Sequence, residues 1–233
     1  MKITTIVKAA ALVGAALMIS GQTNRNWPTV VAETADGGHR LGNPEAKVRL
    51  VEYVSYTCPH CAEFTREADD RIKLAYVTPG NVSLEIRHLI RDPVDLTAVM
   101  LANCGPAEKF PQNHATLMLQ QSRWIGPLAN PTAAQRTRWT SGDGAARRRA
   151  IASDFGLYRL MEQRGYTISE LDRCLADEAA ARGFAERSQK DWDKPGLDAT
   201  PSFAINGVVM PGTHTWPALE RQLNEFLTRT DPG

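Results

Sequence analysis

Cys58-Pro59-His60-Cys61 is the stretch whose residue types and spacing point most directly to chemistry. Two cysteines separated by two residues, at the mouth of a helix, can close a disulfide within the first turn. An apolar run, Val48 to Val54, precedes them and a helical pattern follows. Pro59 at the first helical position wastes no hydrogen bond, because the first N–H groups of a helix lack intrahelical partners. Those free N–H groups and the positive helix end favour a thiolate at Cys58. A helix terminus contributes about 0.3 to 2 kcal/mol and one pKa unit is about 1.36 kcal/mol, so the dipole alone moves a thiol from about 8.5 by about one unit. A strong oxidant needs more. Direct bonds from the N–H groups of His60 and Cys61, with positive character on the His60 imidazole, are the expected sources.

The same spacing can serve zinc. A closed zinc site takes four ligands, usually from a second Cys-x-x-Cys or a His pair. Here Cys104 and Cys174 stand alone and no His-x3-His pair exists. The redox reading, with no metal and no cofactor beyond the Cys58–Cys61 disulfide, is therefore preferred. Zinc and two inert buried thiols are the alternatives.

The elements around this dithiol can be read from pattern. A chain of 233 residues, 42% hydrophobic, has material for a real core without disulfide stapling. Its formal net charge of +1 gives no reason to expect nucleic acid or an anionic membrane as partner. At the N-terminus, Lys2 and Lys8 precede an apolar run from Ala9 to Ile19, the layout of a secretory signal. Residues 1–21 are read as a signal peptide, or as an anchor if uncleaved, since the small-residue cleavage pattern is poor. Export would place the cysteines where disulfides persist. Residues 22–42 are polar and irregular and read as a linker.

Ala46 to Ser55 reads as a buried central strand, interrupted by Glu52. Either Glu52 faces water, or it is a buried acid with a raised pKa that moves protons beneath the dithiol. Pro59 to Tyr76 repeats apolar residues at helical spacing, with Asp69, Asp70, Arg71 and Lys73 on a solvated face. Val82 to Arg87 alternates as a second strand, and the intervening helix implies parallel pairing. Asp92-Pro93 opens a helix with Asp92 as N-cap and Asp95 bonding back. Helices are expected over 108–121, 145–164, 168–176 and 177–192, with a long loop over 124–144 and a solvated Arg147-Arg148-Arg149. Trp124 and Trp139 either rim a substrate groove or simply pack. No partner can be named for His39, His88 or His114. Ser202 to Ile205 and Val208 to Met210 flank Asn206-Gly207, a strong hairpin signal, and Thr215 to Thr228 closes as a helix. The predicted class is α/β: β-α-β, an inserted α-helical domain, then β-β-α.

That order, with Cys-Pro-His-Cys at the first helix and Thr200-Pro201 before the hairpin, resembles the thioredoxin fold with a helical insertion. More closely it resembles the DsbA-like thiol:disulfide oxidoreductases of the bacterial cell envelope. Gly42-Asn43-Pro44-Glu45-Ala46, Val51-Glu52-Tyr53 and Thr200-Pro201-Ser202-Phe203 are similar to that family's segments, and the resemblance covers about Leu41 to Leu227. It implies residues 43–92 and 195–230 as the thioredoxin-fold domain and 93–194 as the insertion. It implies Cys58 as the attacking, solvent-facing thiol and Cys61 as the buried resolving one. It also implies His60 as the histidine of the oxidising members, Glu52 as the buried acid, and Pro201 as the cis-proline facing the disulfide. Thr200 would then pair with an extended client strand. Threonine at that place departs from the dedicated oxidases and leaves the direction of reaction open. Some members carry a second bridge, so Cys104–Cys174 is expected as a structural disulfide, two separate thiols being the alternative. The implied partners are reduced, unfolded secreted proteins and a membrane DsbB-like, quinone-linked reoxidase, with the protein a monomer. A disulfide isomerase or reductase, and a non-catalytic envelope binding module, are the competing functions.

Overall fold

The computed structural model describes residues 25–229, so the expected signal segment lies outside the described residues. Six strands form one sheet: β1 (Val31–Glu33), β2 (His39–Gly42), β3 (Val48–Val54), β4 (Val82–His88), β5 (Ser202–Ile205) and β6 (Val208–Val209). Their order is β1-β2-β4-β3-β5-β6. The central pair β3–β4 is parallel, with Glu52 opposite Ile86, and every other pair is antiparallel. Parallel pairing needs a crossover, supplied by helix α1 (Pro59–Arg71) and a wider π-type turn over Ile72–Val77.

The linker reading of 22–42 is corrected for its described part. Trp27–Thr29 is a short 3-10 turn, and β1 and β2 form a hairpin that extends the sheet beyond β4. Neither strand alternates in hydropathy; pairing of β2 with β4, and of β1 with β2, places them there rather than an apolar face of their own.

Helices α2 (Pro93–Ala102), α3 (Phe110–Leu119), α4 (Gln121–Trp124), α5 (Gly126–Ala129), α6 (Ala133–Thr140), α7 (Gly144–Asp154), α8 (Leu157–Glu162), α9 (Ile168–Ala176) and α10 (Glu178–Trp192) lie between β4 and β5. The loop expected over 124–144 is largely helical; Thr132 and Gln135 close a capping box that starts α6. The run expected over 145–164 breaks at Gly156, whose φ of 65° no helix interior accepts. Thr167 and Glu170 form the predicted capping box of α9. Arg148 is not on a solvated face. It is buried and its guanidinium donates to the Leu175 carbonyl and to Glu178.

Helices α3 and α4 pack on α1, α10 packs on β4, and α11 (Trp216–Thr228) packs on β3 and β5. Leu219, Leu223 and Trp216 anchor α11, each apolar side chain contributing about 1.5 to 3 kcal/mol by burial. One continuous apolar core runs from the sheet side, through Leu50, Val54 and Phe203, into the helical block at Leu117, Ile151 and Leu171. Asn206 and Gly207, both at positive φ, turn the β5–β6 hairpin. Asn206 also accepts from the Arg49 amide at 2.8 Å, tying the turn to β3.

Candidate active site

Cys58 caps the N-terminus of α1 in an extended conformation, and Pro59 follows at its first position. Both cysteines are free thiols, Cys58 3% and Cys61 0% exposed. The solvent-facing Cys58 implied by resemblance is thus corrected. It is almost covered, because the 200–201 segment lies against it. Its Sγ donates to the Thr200 carbonyl at 3.2 Å. The Thr200–Pro201 peptide is cis. Next to this contact lies a cavity of about 450 Å³ lined by His60, Glu63, Phe64, Glu67, Thr200 and His214, among others.

The two sulfurs are driven apart in acidity. Hydrogen bonding from Cys61 leads in pulling the Cys58 thiol down to about 5, with the Thr200 side chain and the backbone amides of Cys61 and His60 adding to it against the opposing effect of burial. Burial first, and the hydrogen bond to Cys58 second, push Cys61 well above the ordinary thiol range. The opposite shifts favour the thiolate at Cys58 and the thiol at Cys61. The part of His60 that bonds the Cys58 sulfur is its backbone amide. Its imidazole is 80% exposed and lies 3.7 Å from the Glu63 carboxylate.

Glu52 does not face water. Alternation along β3 turns it, with Leu50 and Val54, to the α1 side of the sheet, where it is 5% exposed with an unpartnered Oε1. Burial chiefly raises its pKa to about 8, Asp69 adding to the shift and Lys73 opposing it. Asp69 and Lys73, expected only as part of a solvated face, form a partly buried pair at 2.6 Å. Glu52 is close enough for its charge to raise Cys61 further.

Cys104 and Cys174 are bonded, joining the end of α2 to α9 with Cα atoms 5.7 Å apart. They lie outside the dithiol site. Trp124 and Trp139 are buried and pack on Phe155, as in the packing alternative. His39, His88 and His114 surround Phe110, and the Tyr56 hydroxyl is 3.0 Å from His114 Nδ1.

Sequence reasoning missed the residues that hold the loop before Cys58. Asp92 caps α2 by accepting from the Asp95 amide, as expected, and Asp95 bonds back to the Arg91 amide, one residue before the cap. The same carboxylate, whose Arg91 bond is 3.0 Å, also reaches the loop, accepting from Ser55 Oγ at 2.6 Å and the Tyr56 amide at 2.8 Å. Asp92 accepts from Thr57 Oγ1 at 2.7 Å, and Gln121 Nε2 donates to the carbonyls of Tyr56 and Cys58 at 2.8 Å each. The only local hint was a second acid within a capping sequence. No group of side chains among the described residues has the composition of a metal site.

A thioredoxin fold interrupted by helices, with a Cys-x-x-Cys at the first helix facing a Thr–cis-Pro, is the class of protein that the fold and the site define. The chain belongs to the thioredoxin family, whose model matches residues 34–225. It is similar to a solved protein-disulfide isomerase of Novosphingobium aromaticivorans, at 47% identity and a TM-score of 0.80, over 84% of this chain and 100% of that one. Its fold is similar to that of Wolbachia pipientis alpha-DsbA1, at 20% identity and a TM-score of 0.64, over 82% and 90% of the two chains. A protein of Rickettsia bellii described as a putative protein-disulfide oxidoreductase is 28% identical over 72% of this chain. The chain spans 56% of that relative's own length.

Proposed function

We propose that this protein is an exported thiol:disulfide oxidoreductase that introduces disulfides into secreted or periplasmic proteins through Cys58 and Cys61. The observation that carries the reading is the pair of free thiols at the N-terminus of α1, Cys58 against the cis Thr200–Pro201 segment, with the Cys58 pKa pulled down and that of Cys61 pushed up. A client thiolate attacks Cys58 of the Cys58–Cys61 disulfide, forming a mixed disulfide and expelling the Cys61 sulfur with the bonding electron pair. Glu52, whose carboxyl burial pushes up to about 8 and whose charge acts on Cys61, is the proposed proton source for that sulfur. A second client thiolate attacks the client sulfur of the mixed disulfide, and Cys58 leaves as a stable thiolate. The client is oxidised by two electrons and the Cys58/Cys61 pair reduced by two. A membrane reoxidase linked to a quinone takes those electrons. The apolar N-terminal run supports export to the periplasm or cell envelope.

The test is equilibration of the Cys58/Cys61 pair against glutathione. An equilibrium far more oxidising than that of thioredoxin, about −270 mV, supports the donor role. One near that value overturns it in favour of a reductase. An isomerase is the second reading, favoured by Thr200 and by the similarity to the Novosphingobium protein. Faster repair of a scrambled client than oxidation of a reduced one would select it.

A further inference from the structure

Ser55 bears on both cysteines. Its carbonyl accepts from the Cys58 amide at 3.2 Å, and its backbone counters part of the rise in the Cys61 pKa. What fixes Ser55 is a carboxylate 40 positions away, because its hydroxyl donates to Asp95 Oδ2 at 2.6 Å. The other Asp95 oxygen accepts from the Tyr56 amide at 2.8 Å, so two consecutive loop residues hang on one side chain. Asp95 is 0% exposed. Burying a carboxyl among apolar groups is costly, and these bonds offset the cost by satisfying both oxygens. The Arg91 amide makes the third bond and holds the carboxylate from its own side. Asp95 touches neither sulfur.

Resting on the dithiol reading above, we propose that Asp95, acting through Ser55, is a positioning residue that sets the redox equilibrium of Cys58 and Cys61. Without it, Ser55 is free to move, and with it the Cys58 backbone that its carbonyl holds, which shifts the Cys58 sulfur relative to the His60 and Cys61 amides. The thiolate at Cys58 then loses part of its preformed hydrogen-bond set, and the reduced form loses stability relative to the disulfide. The sign discriminates between mechanisms. Burial pushes the Asp95 carboxyl up to about 7, so near pH 5, where Cys58 titrates, its replacement removes little charge and Coulomb's law alone would leave the Cys58 pKa in place. Loss of positioning raises it.

The experiment uses the full chain with Asp95→Asn, Ser55→Ala and the double variant. Thiolate absorbance gives the Cys58 pKa, and equilibration with glutathione gives the redox constant. Each single variant is expected to raise the Cys58 pKa by about half a unit or more and to make the pair at least about threefold less oxidising. The double variant should be no worse than the stronger single one, because both changes break one link. An unchanged or lowered pKa in folded Asp95→Asn overturns the proposal, as does additivity in the double variant. Should Asp95→Asn fail to fold, Ser55→Ala alone decides by the same criteria, since it removes only one hydroxyl. Parent protein whose two thiols never join would instead overturn the dithiol reading. Parent protein that cycles normally, beside variants that do not shift, removes only the role of Asp95.

Discussion

The sulfur of Cys58 and the carbonyl oxygen of Thr200 lie 3.2 Å apart although 142 positions separate the residues. The carbonyl accepts from Cys58 only in its thiol form, whereas the Thr200 side chain helps lower the Cys58 pKa. Thr200→Val keeps the shape and removes the hydroxyl. The Cys58 pKa is expected to rise by about half a unit, read by thiolate absorbance against pH. No rise would mean that the hydroxyl does not contribute.

His60 acts on Cys58 through its backbone amide, and its imidazole is exposed. His60→Pro deletes that N–H and is expected to raise the Cys58 pKa by about one unit, with about tenfold less oxidising power. His60→Ser keeps the N–H and should shift it much less. Equal shifts in the two variants would assign the effect to the ring.

Glu52 holds its proton up to about pH 8 in the folded chain, whereas a free carboxyl loses it near 4.5. The folded chain therefore binds the extra proton between those values. Its contribution to stability is complete below pH 4.5 and is lost as pH rises towards 8. Glu52→Gln should abolish this slope and be about 2 to 4 kcal/mol more stable than the parent at pH 8, with little difference at pH 4. Urea unfolding at the two pH values measures it. The same variant should slow client oxidation near neutral pH, where Glu52 would otherwise supply its proton.

The Cys104–Cys174 bond closes a loop of 70 positions through the helical block. A loop of that size corresponds to about 4 kcal/mol of lost freedom in the unfolded chain. Replacing both cysteines by alanine should cost about 2 to 4 kcal/mol in denaturant unfolding and leave the Cys58/Cys61 equilibrium with glutathione unchanged. A thiol count on denatured, oxidised protein should find none. A shift in that equilibrium would tie the second bridge to the redox site.

What the amino-acid sequence determined by itself is local. Two cysteines one helical turn apart, a proline at N1, a Thr-Pro before an Asn-Gly turn, and the period of the central strands are all set within a few residues of chain. Each restricts backbone dihedrals or hydrogen bonding where it stands, so its outcome needs no knowledge of the rest. Tertiary structure alone decided the environment of the sulfurs. It brought Thr200 onto Cys58, carried the Asp95 carboxylate from the helix start onto the Ser55 loop as well, and set the charges of Asp69 and Lys73 near Glu52. It also made Val31–Glu33 and His39–Gly42 part of the sheet, although neither stretch carries a pattern of its own. The physical reason is that burial, and the electrostatics that follow from it, belong to groups distant in sequence and adjacent in space. Acidity at Cys58 and Cys61 is the sum of such meetings.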